Sequence, residues 1–332
     1  MPTPDTVRVA LDAMGGDNAP GDIVAGGLEA LAGDPGMELV LVGREADVLA
    51  ALGGSVPERV SIVNATEVVE MDEHPANAVR VKKDSSINVG ARLVADGNAD
   101  AFVSAGNSGG VMAAAIFVMK RLPNVDRPAL VTLVPTKAGT TLLIDSGANT
   151  DVKPEYLYQW ALLGSAYSRS ILGVDNPRVG LLSNGEEETK GNELTLATHQ
   201  LLKTAPINFI GNIEGKTMFD DAADVVVTDG FTGNIVLKTM EGLASFVLGG
   251  IRDAAMTSLP GKVGGLLLRP SLQPLRDKAD WRKHGGAALL GVKGVCIIAH
   301  GRSDPEAAKN AVIRGAEAVR NGLVQAMAEA VA

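Results

Sequence analysis

Eight short segments of this sequence combine glycine with polar side chains that can bind an anion. Each mixes Gly with Asp, Asn, Ser, Thr or Lys, and each lies between an apolar run and a stretch of helical pattern. Helix N-termini present free N–H groups and a positive dipole end, so phosphate is a natural ligand there. One such segment is most simply a turn, whereas eight favour a binding site. The segments are DAMGGDNAP, VGREAD, SAGNSGG, DSGANT, SNGEEETKGN, GNIEGK, TDGFTGN and AHGRSD.

Lys190, in SNGEEETKGN, is the first candidate catalytic residue. It follows the glutamate run 186–188 and stands just before a predicted helix, where the dipole disfavours a cation. Such an unfavourable position indicates a role in binding phosphate or in stabilising an anionic leaving group. The alternative is a solvated surface lysine, because most lysines are exposed.

Asn234, in TDGFTGN, is the second candidate catalytic residue. Its amide can donate to phosphate or to an oxyanion, while Thr232 is expected to cap the helix that follows. Capping by Asn234 without any catalytic role explains the segment equally well.

Further residues are expected to complete a ring of phosphate ligands. Glycines in the first segment let backbone N–H groups approach a ligand, and Asp12 or Asp17 can position a lysine or act as a base. Turn formation explains the same glycines equally well. The candidates for substrate or phosphate binding are Asp12, Gly15, Gly16, Asp17, Asn18, Asn107, Ser108, Asp145, Asn149, Asn184 and Thr232.

GNSGG, residues 106–110, also matches the G-x-S-x-G pattern of a hydrolase nucleophile elbow. Ser108 is therefore an alternative acyl nucleophile. We favour a helix cap at Asn107 or Ser108, because matches of five residues arise by chance in a glycine-rich chain. The partners that follow in hydrolase order are Asp145 or Asp229, then His199 or His300.

Motifs for nucleotides and metals do not match this sequence. None of its 39 glycines has the one-residue spacing that G-x-G-x-x-G requires. GNIEGKT has three residues between its glycines, where a P-loop has four. The four histidines lie far apart and have no metal-binding spacing. We therefore predict neither a cofactor nor a metal ion.

The composition is typical of a globular protein. Among 332 residues, 46% are hydrophobic and 21% are charged, and we expect a single unit over residues 1–332. The net charge of −9 argues against nucleic acid as a partner, because phosphate binding needs an excess of Lys and Arg. The single cysteine, Cys296, cannot form an intramolecular disulfide, which suits a reducing compartment.

Neither a secretion signal nor a membrane span is indicated by the sequence. The N-terminus has no basic segment followed by an apolar stretch. The longest apolar run, 111–119, is about half as long as the roughly 20 residues that a membrane span needs. We therefore expect a cytoplasmic protein.

A basic stretch at about residues 250–290 interrupts this acidic chain. Residues 252–293 carry eight Lys or Arg against three Asp. We expect an inserted amphipathic arm that contacts an acidic protein or an anionic lipid surface, the alternative being a solvated helix face. The candidate contact residues are Arg269, Arg276, Lys278, Arg282 and Lys283.

Ten short apolar runs alternate with amphipathic segments along the chain. Most of the runs are continuously apolar, which is typical of parallel strands covered on both faces. The pattern predicts a three-layer α/β/α fold with a mostly parallel sheet. The carboxyl ends of parallel strands meet at one edge, so we expect the eight polar segments to line a single crevice.

The segments also resemble those of a known family. VALDAMGGDNAP, MDEHPANAVRVKKDSS, GLLSNGEEETKGN, VVTDGFTGNIVLK and GGAALLGVKGVCIIAHG are similar to the bacterial phosphate acyltransferases of phospholipid synthesis. The resemblance runs from about Val7 to about Ala318. Ser108, where we would expect Thr, and Ser146, where the family often has Val, are mild departures.

The resemblance implies reversible transfer of a long-chain acyl group from acyl carrier protein to inorganic phosphate, giving acyl phosphate. It also implies a homodimer on a Rossmann-like scaffold similar to isopropylmalate dehydrogenases and phosphotransacetylases. The product would pass to a membrane glycerol-3-phosphate acyltransferase, so peripheral association with a membrane is expected. Two other functions stay open: a hydrolase of acyl thioesters that uses Ser108, and a non-catalytic scaffold that binds carrier protein.

Overall fold

The computed structural model describes residues 6–137 and 139–332. Within these residues, eleven strands form one sheet. The strands are β1 Val7–Asp12, β2 Met37–Gly43, β3 Val60–Asn64, β4 Ala101–Ser104, β5 Ala129–Pro135, β6 Thr140–Ile144, β7 Arg178–Ser183, β8 Asn208–Glu214, β9 Val225–Val227, β10 Ala287–Leu290 and β11 Val295–Ile298.

Helices connect most of these strands. The α-helices are α1 Gly21–Gly33, α2 Glu45–Ala51, α3 Pro75–Val81, α4 Ser86–Ala95, α5 Ser108–Ala114, α6 Pro154–Leu172, α7 Glu193–Leu202, α8 Gly230–Met256, α9 Leu259–Ala279, α10 Pro305–Arg320 and α11 Leu323–Ala330. A π-helical segment, Ala115–Met119, extends α5, and 3₁₀ turns lie at Thr217–Phe219 and Trp281–His284.

The sheet consists of two parallel blocks that run in opposite directions. The strand order is β3-β2-β1-β4-β11-β10-β5-β6-β9-β7-β8. Strand β10 is antiparallel to both of its neighbours, and β5 is antiparallel to β6. The block β6-β9-β7-β8 therefore runs against the block that contains β1, β4 and β11.

This reversal corrects the expectation of a single crevice edge. The polar loops that follow β1, β2, β4 and β11 form a first loop group. The loops that follow β6, β7, β8 and β9 form a second loop group at the opposite edge of the hydrogen-bonded ladder.

Alternating side chains place an apolar core on each face of the sheet. Val9 and Leu11 of β1 belong to the core beneath α1, α6 and α10. Ala10, between them, belongs to the core beneath α4 and α5, together with Phe102. The strands are thus covered on both faces, and the predicted α/β/α architecture is confirmed. All ten predicted runs contain a strand, and β10 is an additional one.

Helices α8 and α9 pack against each other as an exposed arm. Apolar side chains cover much of it, and Phe246 and Leu259 are each 77% exposed. Among the described residues, α8 is the helix whose length and mean hydropathy, 1.2, would fit a membrane crossing. Residues 250–290, where the sequence predicted an arm, hold the last two turns of α8, all of α9, a 3₁₀ turn and all of β10.

Candidate active site

The second loop group encloses a cavity of about 460 Å³ at the carboxyl ends of β7 and β9. Leucines and a valine from the surrounding strands and helices form its apolar walls: Leu157, Leu181, Leu182, Leu194 and Val236. Hydroxyl, amide and carboxylate side chains form the rest of its lining: Ser183, Asn184, Asn192, Thr195, Thr228, Asp229 and Thr232. A pocket with apolar walls and a few convergent polar groups is the usual form of a small-molecule site.

Two helix N-termini converge on this cavity. Asn192 caps α7 by accepting from the Thr195 N–H at 2.9 Å, and Asp229 caps α8 by accepting from the Thr232 N–H at 2.8 Å. All four residues line the cavity. Both positive dipole ends therefore point at the same space, which favours a bound anion. The cap of α8 is Asp229, so the expected cap at Thr232 is wrong, and Thr232 lines the cavity instead.

The loop that carries Lys190 forms one side of the cavity. Its neighbours Asn184 and Gly191 line the cavity. The aliphatic stem of Lys190 packs on Gly185, where an added Cβ would lie 2.7 Å from the lysine Cγ. The side chain is exposed, and no carboxylate within the described residues forms an ion pair with it. Glu188 pairs with Lys203 instead, at 2.9 Å.

Asn234 lies on the other side of α8. It is two residues beyond Thr232, which is about 200° around a helix of 3.6 residues per turn. Its side chain faces Gly147 in the loop after β6, where an added Cβ would lie 3.5 Å from the Cβ of Asn234. The Lys190 loop and Asn234 thus flank the first turn of α8 from two sides.

Asp145 organises the loop after β6. Its buried carboxylate accepts hydrogen bonds from the N–H groups of Gly147, Ala148 and Asn149, at 3.1, 2.9 and 2.8 Å. The amide of Asn149 donates to the same carboxylate at 2.9 Å. Burial raises the pKa of Asp145, and the hydrogen bonds oppose that shift. Asp145 and Asn149 therefore shape this loop, and neither lines the cavity.

Asp12 has the corresponding position in the first loop group. It accepts from the Ser104 hydroxyl at 2.7 Å, and Ser104 accepts from the Gly106 N–H at 3.1 Å. The carboxylate is completely buried, and this burial raises its pKa. A chain of hydrogen bonds thus joins the loop after β1 to the loop after β4.

Close packing explains the glycines beside Asp12. A Cβ on Gly15 would lie 2.6 Å from the Gly106 nitrogen. Gly16 has a φ of +107°, and a Cβ added there would lie 3.0 Å from the Gly301 carbonyl oxygen. Asp17 donates its N–H to that carbonyl at 2.7 Å. The amide of Asn18 approaches the Ser303 carbonyl at 3.5 Å. These four candidates hold the first loop group together.

Asn107 caps α5, as one of the two interpretations of GNSGG predicted. Its Oδ1 accepts from the Gly110 N–H at 2.9 Å. Its Nδ2 donates to the carbonyls of Glu70 and Met71, at 3.0 and 3.2 Å. Ser108 is exposed at the start of the helix.

The partners required for a hydrolase triad are engaged elsewhere. Ser108 belongs to the first loop group, whereas Asp145 and Asp229 belong to the second, where one holds a loop and the other caps α8. His199 is bound to Asn212 at 2.8 Å. The ring of His300 contacts Trp281, with 5.1 Å between their centroids. The geometry therefore gives no support to the nucleophile elbow.

Helix α8 connects the two loop groups. Its first turn contacts the loop after β6 at Gly147. Its third turn carries Lys238. The pKa of His300, in the loop after β11, is lowered first by burial, then by the charge of Arg302, and then by the charge of Lys238. Asn234 and Lys238 are four residues apart and so lie on one face of the helix. The space between the loop groups is thus bordered by this face of α8.

Three of the five candidate contact residues of the arm are engaged at its base. Lys278 donates to the carbonyls of Thr136 and Lys137, at 3.4 and 3.3 Å. Arg282 pairs with Asp280, Asp304 and Glu306, and Lys283 pairs with Asp277. Arg269 and Arg276 are exposed on α9. These two remain the candidates for contact with a partner.

Sequence reasoning missed several residues that line the cavity. Ser183, Asn192 and Thr195 lie in or just after the segment SNGEEETKGN. The spacing Asn-x-x-Thr at 192–195 is a helix-cap signal that could have identified two of them. Leu157 comes from α6, and nothing in its local sequence indicated a place in the cavity.

Comparison with known proteins identifies the family. The family profile described as "Fatty acid synthesis protein" matches residues 7–326. A phosphate acyltransferase from Desulfitobacterium hafniense (strain DSM 10664 / DCB-2) is 51% identical over 321 residues, which cover 96% of each chain. Another, from Myxococcus xanthus (strain DK1622), is 50% identical over 325 residues, covering 96% of this chain and 92% of the relative. The chain belongs to the bacterial phosphate acyltransferase family.

Solved structures place this family member in a wider fold class. EutD phosphotransacetylase from Staphylococcus aureus superposes with a TM-score of 0.61 at 17% identity, covering 96% of this chain and 95% of its own. A 4-hydroxythreonine-4-phosphate dehydrogenase from Burkholderia phymatum gives a TM-score of 0.51 at 12% identity, covering 94% and 98%. At these identities the likeness concerns the fold. The similarity to phosphotransacetylases that the sequence implied is thereby confirmed.

Proposed function

We propose that the protein transfers a long-chain fatty acyl group from the thioester of acyl carrier protein to inorganic phosphate. It is a phosphate acyltransferase of fatty acid and phospholipid synthesis by family. The observation that supports the phosphate acceptor best is the cavity on which the N-termini of α7 and α8 converge. Its apolar walls suit part of an acyl donor, and its polar lining suits phosphate.

The reaction needs no covalent enzyme intermediate. An oxygen of hydrogen phosphate attacks the thioester carbonyl, the new C–O bond forms, and the C–S bond breaks. The proton of hydrogen phosphate passes to the departing thiolate, so the products are acyl phosphate and carrier protein with a free thiol. Catalysis then consists of orienting phosphate and stabilising negative charge on the carbonyl oxygen and the sulfur.

Lys190 and Asn234 are the groups that we assign to this charge stabilisation. The Lys190 ammonium has no carboxylate partner within the described residues, so it is free to bind phosphate or the leaving thiolate. Asn234 presents an exposed amide on the face of α8 that borders the space between the loop groups. Because Lys190 and Asn234 flank one helix turn, a substrate would have to extend around the start of α8 to meet both.

The arm suits the partners that the family implies. Its exposed apolar side chains support contact with a second copy in a homodimer or with a membrane surface. Arg269 and Arg276 suit an acidic carrier protein or anionic lipid. Contact with the membrane would bring acyl phosphate to a glycerol-3-phosphate acyltransferase there, while the enzyme itself is cytoplasmic.

Incubation of acyl carrier protein thioester with the protein and ³²P-labelled orthophosphate tests the proposal. We expect label in a lipid-soluble acyl phosphate and an equal amount of free carrier thiol. Omission of phosphate should abolish thiol release. Release of thiol without phosphate would indicate a hydrolase, and binding of carrier protein without any release would indicate a scaffold. Either result would overturn the proposed reaction.

A further inference from the structure

We infer that Asn212 and His199 are positioning residues that fix the loop of Lys190. This inference rests on the proposed function, because Lys190 is catalytic only there. Asn212 lies on β8 and His199 on α7, and their side chains are 6% and 5% exposed. Neither lines the cavity, so both would act through the loop that runs from β7 to α7.

The side chain of Asn212 binds this loop at two points. Its Nδ2 donates to the carbonyl of Glu187 at 2.9 Å and to the carbonyl of Lys190 at 3.3 Å. The Lys190 carbonyl also accepts from the Ser183 hydroxyl at 3.3 Å, and the Lys190 N–H donates to the Glu187 carbonyl at 3.0 Å. The backbone of Lys190 is therefore held at both its N–H and its C=O, while its ammonium is exposed.

His199 fixes the orientation of that amide. The carbonyl oxygens of Glu187 and Lys190 only accept, so Nδ2 must face them and Oδ1 must face the imidazole at 2.8 Å. An amide oxygen also only accepts, so Nδ1 of His199 must carry the hydrogen. The imidazole is held in turn by an edge contact with Phe209, with 5.1 Å between the ring centroids.

A β-bulge makes this arrangement possible. Phe209 and Asn212 both face His199, although residues three apart point to opposite faces of a regular strand. The register of β8 against β7 shifts there, since Val179 pairs with Phe209 and Gly180 pairs with Gly211. Ile210 is the extra residue, and Gly211 has a φ of +98°. The bulge therefore directs Asn212 toward the Lys190 loop.

Replacement of Asn212 by Asp tests the inference with little change of shape. A carboxylate oxygen would then face two carbonyl oxygens beside the glutamates 186–188, so the loop should move. We expect kcat to fall about 10- to 100-fold, the scale of a displacement near 1 Å. In the K190A background the same change should have almost no further effect, because its whole effect passes through Lys190. Asn208→Asp, on the same strand with an exposed amide 3.4 Å from the Asn176 carbonyl, is the matched control.

His199→Phe provides the second variant in case N212D does not fold. It keeps the ring contact with Phe209 and removes the N–H that orients the amide, together with the approach of Nε2 to Glu188 at 3.7 Å in the same loop. Hydrogen exchange of residues 185–191 should speed up in either variant, while exchange in the central strands stays unchanged. The inference would be overturned if the losses of kcat in N212D and K190A multiplied in the double variant. It would also be overturned if hydrogen exchange of residues 185–191 in the variants equalled that of the parent protein. If the parent protein formed no acyl phosphate, the proposed function would be refuted instead. Hydrogen exchange would still test whether Asn212 and His199 hold the Lys190 loop in place.

Discussion

Lys190 and Asn234 are the two candidate catalytic residues, and their side chains are exposed. Lys190 lies on a loop whose residues Asn184 and Gly191 line the cavity, Asn234 lies on α8, and neither Lys190 nor Asn234 is itself part of the cavity lining. Lys190→Ala and Asn234→Ala should each reduce turnover by at least roughly 10²-fold, the usual effect of removing one electrostatic donor. Initial rates of acyl phosphate formation measure the effect.

A control for these variants is Lys309→Ala on α10. Lys309 is 3.5 Å from Glu29 and lies in the layer formed by α1 and α10. Its removal should leave turnover unchanged. If K190A and N234A both keep the parent rate, neither residue supports the transfer.

Ser108 gives a contrasting prediction. Asn107 supplies the cap of α5, so Ser108→Ala removes an exposed hydroxyl at the first position of the helix. We expect turnover to remain measurable and no acyl-enzyme to appear by mass spectrometry. Complete loss of turnover in a folded S108A variant would restore the serine nucleophile.

At the residue scale, the sequence predicted which side chains could bind a ligand better than it predicted which of their polar atoms are free to do so. It correctly indicated a helix cap at GNSGG, and two of its candidate phosphate ligands, Asn184 and Thr232, line the cavity. It could not show that the oxygens of Asp145 are already used by backbone N–H groups. Such bonds depend on how a loop folds back on itself, which residue type does not encode.

Helix α8 can be tested as an element through its two contrasting glycines. A Cβ on Gly233 would lie 1.9 Å from the Asp145 carbonyl oxygen, whereas a Cβ on Gly242 would meet nothing within 4 Å. Gly233→Ala should lower the free energy of unfolding by about 1 to 3 kcal/mol through overpacking. Gly242→Ala should raise it by about 0.5 to 1 kcal/mol through helix propensity. Urea unfolding of both variants checks the pair, and equal shifts would contradict this view of the α8 start.

Asp34 connects the C-terminus of α10 to the turn between α1 and β2. Arg320 donates to both of its carboxylate oxygens, at 2.6 and 3.0 Å, and holds the pKa of Asp34 below its usual value. A lowered folded-state pKa stabilises the fold above the unfolded value, near pH 4, and this contribution disappears as the pH falls through the folded value.

Replacement of Asp34 by Asn should therefore destabilise the protein in a pH-dependent way. At pH 6 we expect a loss of about 1 kcal/mol, as for a partly exposed ion pair. The difference between the parent and D34N should shrink steadily below about pH 4. Unfolding midpoints measured across this range would contradict the assignment if the gap stayed constant.

At the element scale, apolar runs identified the strands but not their directions. A buried strand is continuously apolar whichever way it runs, so the block from β6 to β8 was expected to be parallel to β1. The short link between β5 and β6 indicates their relative direction. Only four residues, 136–139, separate these strands, whereas a parallel crossover needs a dozen or more. That link requires an antiparallel pair and hence the reversal of the second block.

For the molecule as a whole, the arm carries the prediction about partners. Charge reversal of Arg269 and Arg276 should weaken binding to acyl carrier protein or to anionic vesicles, and the affected binding should also weaken as salt rises. Titration with carrier protein and flotation with liposomes distinguish the two partners. Arg169→Glu, an exposed change on α6, is the control. If the variant bound both partners as well as the parent protein does, Arg269 and Arg276 of the arm would take no part in recognising either partner.

The bulge in β8 is the point at which that strand can change length without changing its faces. Deleting the extra residue, Ile210, would leave Phe209 and Asn212 two positions apart, so both side chains would stay on one face and Gly211 would still pair with Gly180. Deleting Ile213 instead would bring Glu214 into a position that is now 5% exposed and belongs to the core. The strand can therefore lose a residue at the bulge, but not in the regular pairing that follows it.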